Sequence, residues 1–538
     1  MEVKKMAIRV MAVAAPELPE GKIGVGVLSS NDPASLFNAC RYAAFLAENE
    51  IGFWGESNWV VSRKERRETF LLMHSLKDDL PIFEKLLEKF QPNLLLIGAM
   101  SLCLPGAVAC AKKAKEMFGD EICVVLGGRH TNETIYTTQD GTIKHHPGSP
   151  LRLMAEEHID QVFDLVVSGE GEYIIASIGE IVGSLDQRKI SPAEISNYLQ
   201  EIPQTPGRWI VGWIDDVKEI HTIEGRGGQF DRNYLPSPVE MFGVSSVFDI
   251  FSGRLTAHVF SDSGSGCVYD CAFCSERRSV TGSLIQLDTA ADRLFRQLKN
   301  TANVIQQDSP SFRASAFVED SIMLAGSNTA LNRLVRLLAE EKLDLLFGGQ
   351  LTIDQIISKV EIVKNLKSVG FDYLFIGMET LEPKSVGGFS KDIKFSEESW
   401  LRRTEKVLEI LASLEIQCGL SLLFGLGETH DSRIRLLYQI KKWRESYRIL
   451  NPVALNWAVQ HPLKGNDGGI GYRYTEWGIF SSSWLEAFRD FGEASVLYPL
   501  SGQKPPILKE VKEITDFYGE LFGIRKNAIM NQKKGEVI

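Results

Sequence analysis

The chain of 538 residues is 44% hydrophobic and 24% charged and carries a net charge of −11, which describes an ordinary globular protein of about two to four domains. The acidic balance argues against a long phosphate-tracking surface, so small molecules are better partners than nucleic acid. Eight cysteines, thinly spread at 40, 103, 110, 123, 267, 271, 274 and 418, are not a disulfide framework and fit a reducing cytoplasm.

Met6–Ala15 is apolar and follows Lys4 and Lys5, so it mimics a secretory leader, but Arg9 interrupts it and no clean cleavage site follows. Ile23–Leu28 predicts a strand, and 33–49 a helix with Asn31 or Asp32 as cap. A short amphipathic helix is expected over 81–90. Residues 94–111 run for 18 positions without a charge, the lower limit for a membrane span. Pro105–Gly106 break that run, and LLLIG reads instead as a buried strand before a helix over 106–118. Ile122–Leu126 is another buried strand, closed by Gly127–Gly128. Phe163–Val167 is expected to be the last, followed by a turn and helix in SGEGEYIIASIGEIV. All-apolar strands separated by helices imply a parallel sheet covered on both faces. Ligands of such sheets sit beyond the carboxyl ends of the strands.

Residues 183–244 contain PQTPGRW, IEGRGGQFDRN and LPSPVEMF and read as a linker with a small hairpin. From 245 to 466 the alternation resumes. Strands are expected at Thr256–Phe260, Ser315–Val318, Asp344–Phe347, Tyr373–Gly377, Gln417–Leu423 and Ala454–Val459, with helices over 288–302, 327–342, 353–368, 396–414 and 431–448. Six such units suit a partial parallel (β/α)6 barrel with its active site at the carboxyl ends. Residues 467–538 form a helical extension in which SSSWLEAFRDFG and PPILKEVKEITDFYGELFG are amphipathic. It either caps the barrel or packs on its exterior. The fold class is α/β throughout, with residues 1–182 as the first domain.

The chemistry concentrates in SGSGCVYDCAFCSERR, where Cys267, Cys271 and Cys274 are spaced C-x3-C-x2-C with no fourth cysteine nearby. Three thiolates can hold three irons of a four-iron cluster and leave one iron open to a small molecule. A zinc knuckle wants four closed ligands, usually as two close pairs, and the glycine- and serine-rich approach to Cys267 reads as a loop rather than a core element. With Phe273 before the third cysteine, the run resembles the signature loop of the radical S-adenosylmethionine (SAM) enzymes. The resemblance implies a 4Fe-4S cluster on the three cysteines, with SAM chelated by the open iron. Reduction by an external low-potential donor of flavodoxin or ferredoxin type would split SAM into methionine and a 5′-deoxyadenosyl radical.

Further motifs fall at successive strand ends: Glu319 and Asp320 in FVED, Gln350, Glu379 in IGMETLEP, and Gly425 and Gly427 in LFGLGETHD. By resemblance, Glu379 would accept hydrogen bonds from the ribose hydroxyls or amino group of SAM, as a carboxylate can. Glu319 would meet the SAM ammonium, the backbone at Phe273 the adenine, and Gln350 would join this set. Gly425 and Gly427 would let the chain pass close to the nucleoside. Arg277 and Arg278 either neutralise the SAM carboxylate or are solvated. His430 and His461 read as structural.

In the first domain, QPNLLLIGAMS, VVLGGRH and FDLVVSGEGE resemble, in this order, a cobalamin-binding Rossmann-like domain. That resemblance implies cobalamin contacts from Ser101, Gly127, Gly128, Gly169 and Glu170. No Asp-x-His-x-x-Gly run is present, so base-off cobalamin with no histidine ligand to cobalt is expected, and His130 reads as structural or tail-contacting. The combined resemblance covers nearly the whole chain. It implies a cobalamin-dependent radical SAM enzyme that methylates an unactivated carbon of a small molecule through methylcobalamin and the deoxyadenosyl radical. Relatives of this layout also form or contract rings or rearrange skeletons, and that alternative stays open. A tRNA methylthiotransferase would need a second cluster, for which Cys40, Cys103 and Cys110 are the candidates. A non-catalytic cobalamin sensor would leave the cysteine trio idle. No membrane partner is expected.

Overall fold

The apolar run that mimics a leader is an inner strand of a sheet. In the computed structural model, which describes residues 7–15, 31–382, 396–458 and 503–522 apart from short stretches within them, Val10–Ala14 (β1) lies between Phe70–Leu72 (β2) and Leu94–Gly98 (β3). Cys123–Gly127 (β4) continues the parallel set. After a small antiparallel pair, Ile135–Thr137 (β5) with Ile143–His145 (β6), Leu165–Gly169 (β7) joins β4. The strand expected at Ile23–Leu28 lies outside the described residues. Successive side chains of these strands enter two cores: Val10, Ala12, Leu94, Leu96, Cys123 and Val125 face one, and Met11, Val13, Leu95, Ile97, Val124 and Leu126 the other. Strands buried on both faces read as unbroken apolar runs, as these do.

Phe163–Val167 is not the end of this sheet. Trp209–Ile214 (β8) and Ile220–Glu224 (β9) add to β7 in antiparallel sense, giving the order β2-β1-β3-β4-β7-β8-β9. The hairpin expected in the linker is therefore part of the first sheet. Every residue of β8 is buried, so burial decides its place, while the proline and glycine clusters flank it.

The two cores also separate the remaining cysteines. Cys40 and Cys123 lie in one, Cys103 and Cys110 in the other, and Cys418 in the barrel. The sheet stands between Cys40 and the Cys103–Cys110 pair, so these three do not gather as a second cluster site. Burial pushes the Cys110 thiol up to about 12 and that of Cys40 higher still, as for thiols that pack as small hydrophobes.

The second sheet is all parallel and in chain order: Arg254–Val259 (β10), Arg313–Val318 (β11), Leu345–Gln350 (β12), Phe371–Glu379 (β13), Gln417–Phe424 (β14) and Leu450–Trp457 (β15). Helices lie between them as expected, except that the helix over 353–368 divides at Lys359, whose φ of −129° leaves the helical region. The helix Leu508–Phe522 inserts Val511, Ile514 and Tyr518 into the barrel core, and the Tyr518 hydroxyl donates to the Val453 carbonyl of the edge strand β15. This part of the extension thus packs on the barrel's outer edge; SSSWLEAFRDFG lies outside the described residues. No helix among the described residues is long and apolar enough to cross a membrane.

Buried ion pairs join the two sheets. Arg41, on the helix Asn31–Glu48, holds Asp262 just after β10 through both guanidinium ends, 2.9 Å for Nη2–Oδ2, with both side chains fully buried. A buried pair of this kind is costly to break from one side only, so it fixes how the carboxyl end of β10 meets the first domain.

Candidate functional site

The cysteine loop leaves the carboxyl end of β10. Its backbone folds tightly: the Cys274 N–H donates to the Cys271 carbonyl at 3.0 Å, and the Arg278 N–H to the Tyr269 carbonyl at 2.9 Å. Cys271 is buried, while Cys267 and Cys274 are half-buried. Among the described residues, Asp215, Glu219 and His221 form a separate group whose donor atoms all fall within 4.8 Å of one another. Burial and the neighbouring Glu276 push the Cys274 thiol up to about 12; a bound cation is what would make it a thiolate at neutral pH.

The other strand-end residues surround this loop. Phe273 packs with Leu423, Leu426 and Ala458, which brings the loop onto the turn of Gly425 and Gly427. That turn is clamped by Glu428, a member of the LFGLGETHD motif to which the sequence assigns no role of its own. Glu428 accepts the N–H groups of Gly425 and Leu426, each at 2.8 Å, and the Nε–H of Arg433 at 2.5 Å. Glu379 ends β13 at a register shift with a left-handed φ of +61° and is largely buried; such strain in a non-glycine residue is often found at ligand sites. The carbonyl of the next residue, Thr380, accepts from the Trp400 indole at 3.0 Å. Gln350 ends β12, half-buried beside Phe375 of β13. Glu319 faces His258 at 2.5 Å, with its carboxylate buried. Asp320 instead ties loops together, accepting the N–H groups of Ser261 and Leu324, and burial holds its carboxyl above the usual range. Arg278 is exposed, whereas Arg277 is half-buried with an Nε that has no hydrogen-bond partner among the described residues. His430 pairs with Glu513 of the C-terminal helix at 3.3 Å, a structural contact; His461 lies outside the described residues.

Beyond the carboxyl ends of β3, β4 and β7 lies a cavity of about 480 Å³. Gly127, Gly128, Gly169 and Glu170 line it, together with Arg129, Arg232 and, from the barrel, Thr281 and Ile285. Gly128 has a φ of +99°, and a Cβ there would lie 2.6 Å from the Ala99 nitrogen, so only glycine fits. Gly128→Val is expected to destabilise the first sheet by about 1–3 kcal/mol, read as a lower thermal midpoint. Glu170 is engaged on both oxygens, by Arg232 at 2.8 Å and the Arg208 N–H at 2.9 Å. Glu172 takes the other end of Arg232 at 3.2 Å, and burial raises its pKa against the pull of that cation. Ser101 stands off the cavity wall. Its hydroxyl lies 3.0 Å from His130 Nδ1 and donates to Glu133, while His130 Nε2 meets the Gly148 carbonyl at 3.0 Å. His130 is thereby a structural histidine.

Sequence reasoning missed Arg129, Arg232 and Glu276. Arg129 forms a buried ion pair with Glu276, two residues past Cys274, and so ties the glycine-pair loop of the cavity to the cysteine loop. Arg129 directly follows the glycine pair in VVLGGRH, and Glu276 follows the third cysteine in CSERR; position beside a motif was the available signal.

A Rossmann-like sheet with a cavity at its strand ends, facing a six-stranded open barrel that carries three clustered cysteines, defines the architecture. No protein-family model and no curated protein matches the chain. Among solved structures it is similar to the radical S-adenosylmethionine methyltransferase TsrM from Kitasatospora setae with cobalamin and a 4Fe-4S cluster bound, at 14% identity over 84% of this chain and 72% of that one, with a TM-score of 0.49. The TsrM structure with tryptophan substrate and the SAM analogue aza-SAM gives 13% identity, 84% and 73% coverage and a TM-score of 0.46. Methylornithine synthase (PylB) gives 14% identity over 52% of this chain and 87% of that one, with a TM-score of 0.27. At these values the chain's own residues carry the functional reading.

Proposed function

We propose that this protein is a cobalamin-dependent radical SAM enzyme that methylates an unactivated carbon of a small-molecule substrate. The observation that supports it best is the joint between its two sites: the C-x3-C-x2-C loop at the barrel's carboxyl end is held by Glu276 and Arg129 against the strand-end cavity of the Rossmann-like sheet. The residues present fit both groups. Three cysteines on one loop, with no fourth near them in the sequence, offer three thiolates and leave one iron of a four-iron cluster open. The cavity combines apolar walls from Leu36, Val125 and Ile175 with buried Nε atoms of Arg129 and Arg232 that have no hydrogen-bond partner among the described residues. That mixture suits a ligand arm with both ring and polar parts, such as the nucleotide tail of cobalamin.

When bound, the cluster supplies one electron to SAM and cobalamin carries a methyl group. Cys267, Cys271 and Cys274 would hold the cluster, and the Gly127–Gly128 and Gly169 backbones the tail. Around SAM, Glu379 would accept from its hydroxyls or amino group, and Arg277 rather than the exposed Arg278 would meet its carboxylate. The turn of Gly425 and Gly427, held by Glu428, would form the nucleoside wall with Phe273. Glu319 and Gln350 complete that rim. His130, with both ring nitrogens engaged, is withdrawn from cobalt, which favours base-off cobalamin without a histidine ligand. The electron donor is external, of flavodoxin or ferredoxin type, and a reducing cytoplasm suits the thiols.

The test is anaerobic reconstitution with iron, sulfide and cobalamin, followed by SAM and a low-potential reductant. S-adenosylhomocysteine together with 5′-deoxyadenosine is the expected pair of products. Deoxyadenosine alone, with cobalamin bound, would replace methyl transfer by a rearrangement or ring-forming reaction. Formation of neither S-adenosylhomocysteine nor 5′-deoxyadenosine is the result that would overturn the enzyme reading.

A further inference from the structure

We propose that Arg129 is a positioning residue that couples the two cofactor sites, so that a ligand in the Rossmann cavity and a cluster on the cysteine loop each strengthen the binding of the other. The inference rests on the cobalamin reading above and adds to it a linkage between the sites.

One guanidinium serves both. Arg129 follows the glycine pair, lines the cavity, and has a side chain only 6% exposed. Its Nη2 is ion-paired to Glu276 Oε1, while its Nε is buried and has no hydrogen-bond partner among the described residues. An acceptor on a cavity ligand is what that Nε–H lacks. Guanidinium donors project as a rigid planar fork, so an acceptor at Nε fixes the direction of the end that holds Glu276. The second oxygen of Glu276 accepts from the Ser321 hydroxyl at 3.3 Å, which ties it to the loop after β11.

The same segment returns to the cavity a few residues on. Thr281 and Ile285 form part of its wall, and the Thr281 hydroxyl donates to the Arg277 carbonyl at 3.1 Å. The Thr281 side chain also packs on Gly266, where an added Cβ would collide with it. The cysteine loop is therefore bracketed on both sides, at Gly266 and at Glu276–Thr281, by groups that touch the cavity wall. Order imposed on the wall is passed to the loop, and by linkage order imposed on the loop by a cluster is passed back in equal measure.

Hydroxocobalamin is titrated into the full-length protein with and without the reconstituted cluster. The wild type is expected to bind it about tenfold more tightly with the cluster present. Glu276 is not itself a wall residue of the cavity, so Glu276→Gln removes no direct contact to a ligand there. It should match the wild type without the cluster and lose the cluster-dependent gain, and the EPR signal of its reduced cluster should no longer respond to cobalamin as the wild-type signal does. Arg129→Lys, which keeps the charge but not the fork, should lose the gain as well. Equal wild-type affinities with and without the cluster would overturn the coupling and leave the cobalamin reading standing, as would a gain retained in Glu276→Gln. No binding of hydroxocobalamin in either state would overturn both.

Discussion

Cys271→Ala is expected to yield a folded protein that retains no iron cluster and forms no 5′-deoxyadenosine from SAM. Cys271 is the most buried of the three loop cysteines, and a trio that already leaves one iron open has no spare ligand. Loss of a direct ligand should exceed the roughly 10–100-fold loss that follows from disturbing outer groups around a metal. Iron analysis after anaerobic reconstitution should find about four irons per wild-type chain and only background in the variant. The fold should survive, because the barrel core is built from its strands and helices, with Cys267 and Tyr269 only partly packed against it. One zinc per chain in the wild type, lost in the variant, would refute the cluster assignment. An iron-loaded variant that still cleaves SAM would show that another residue supplies the ligand.

Much of the fold was legible because each element carries its own local signal. LLLIG reads as a strand buried on both faces, and it divides its side chains between two cores. All six barrel strands were locatable from apolar runs set between amphipathic helices, and C-x3-C-x2-C is readable as a loop because its spacing and glycine-rich approach are local. That the linker hairpin belongs to the first sheet was hidden, because glycine and proline surround WIVGWI and speak for turns whatever the segment between them packs against. Arg129 and Glu276 are 147 positions apart, and no periodicity connects them; only the docking of one sheet on the other makes them a pair. Ser101 shows the converse limit. A serine after a strand is visible in sequence, but whether its hydroxyl faces a cavity or turns to His130 is decided by the helix Arg129–Thr134 packed beside it.

Glu428→Ala should cause the largest loss of stability of any single change at the barrel's carboxyl end. Glu428 and Arg433 are 1% and 2% exposed in their side chains, and the carboxylate also takes two backbone N–H groups of the turn. Arg433 donates further to the Glu428 carbonyl at 3.1 Å and to Glu510 at 3.2 Å, and lies over the Trp457 ring. Removing the carboxylate strands a buried cation and two buried N–H donors, and breaking a buried pair from one side costs about 3–5 kcal/mol. Glu510 lies on the C-terminal helix and is too exposed to replace it. For a barrel of this size that cost lowers the thermal midpoint by roughly 6–20 °C, measured as the barrel's own transition, since a chain with two cores need not unfold in one step. Glu428→Gln keeps an acceptor for the turn and should lose less, as the neutral amide still satisfies one N–H. In the same variants the turn of Gly425 and Gly427 loses its clamp, so KM for SAM should rise more in Glu428→Ala than in Glu428→Gln. An unchanged midpoint in Glu428→Ala would mean that water or a shift of Glu510 satisfies Arg433, and the clamp would not be what holds this turn.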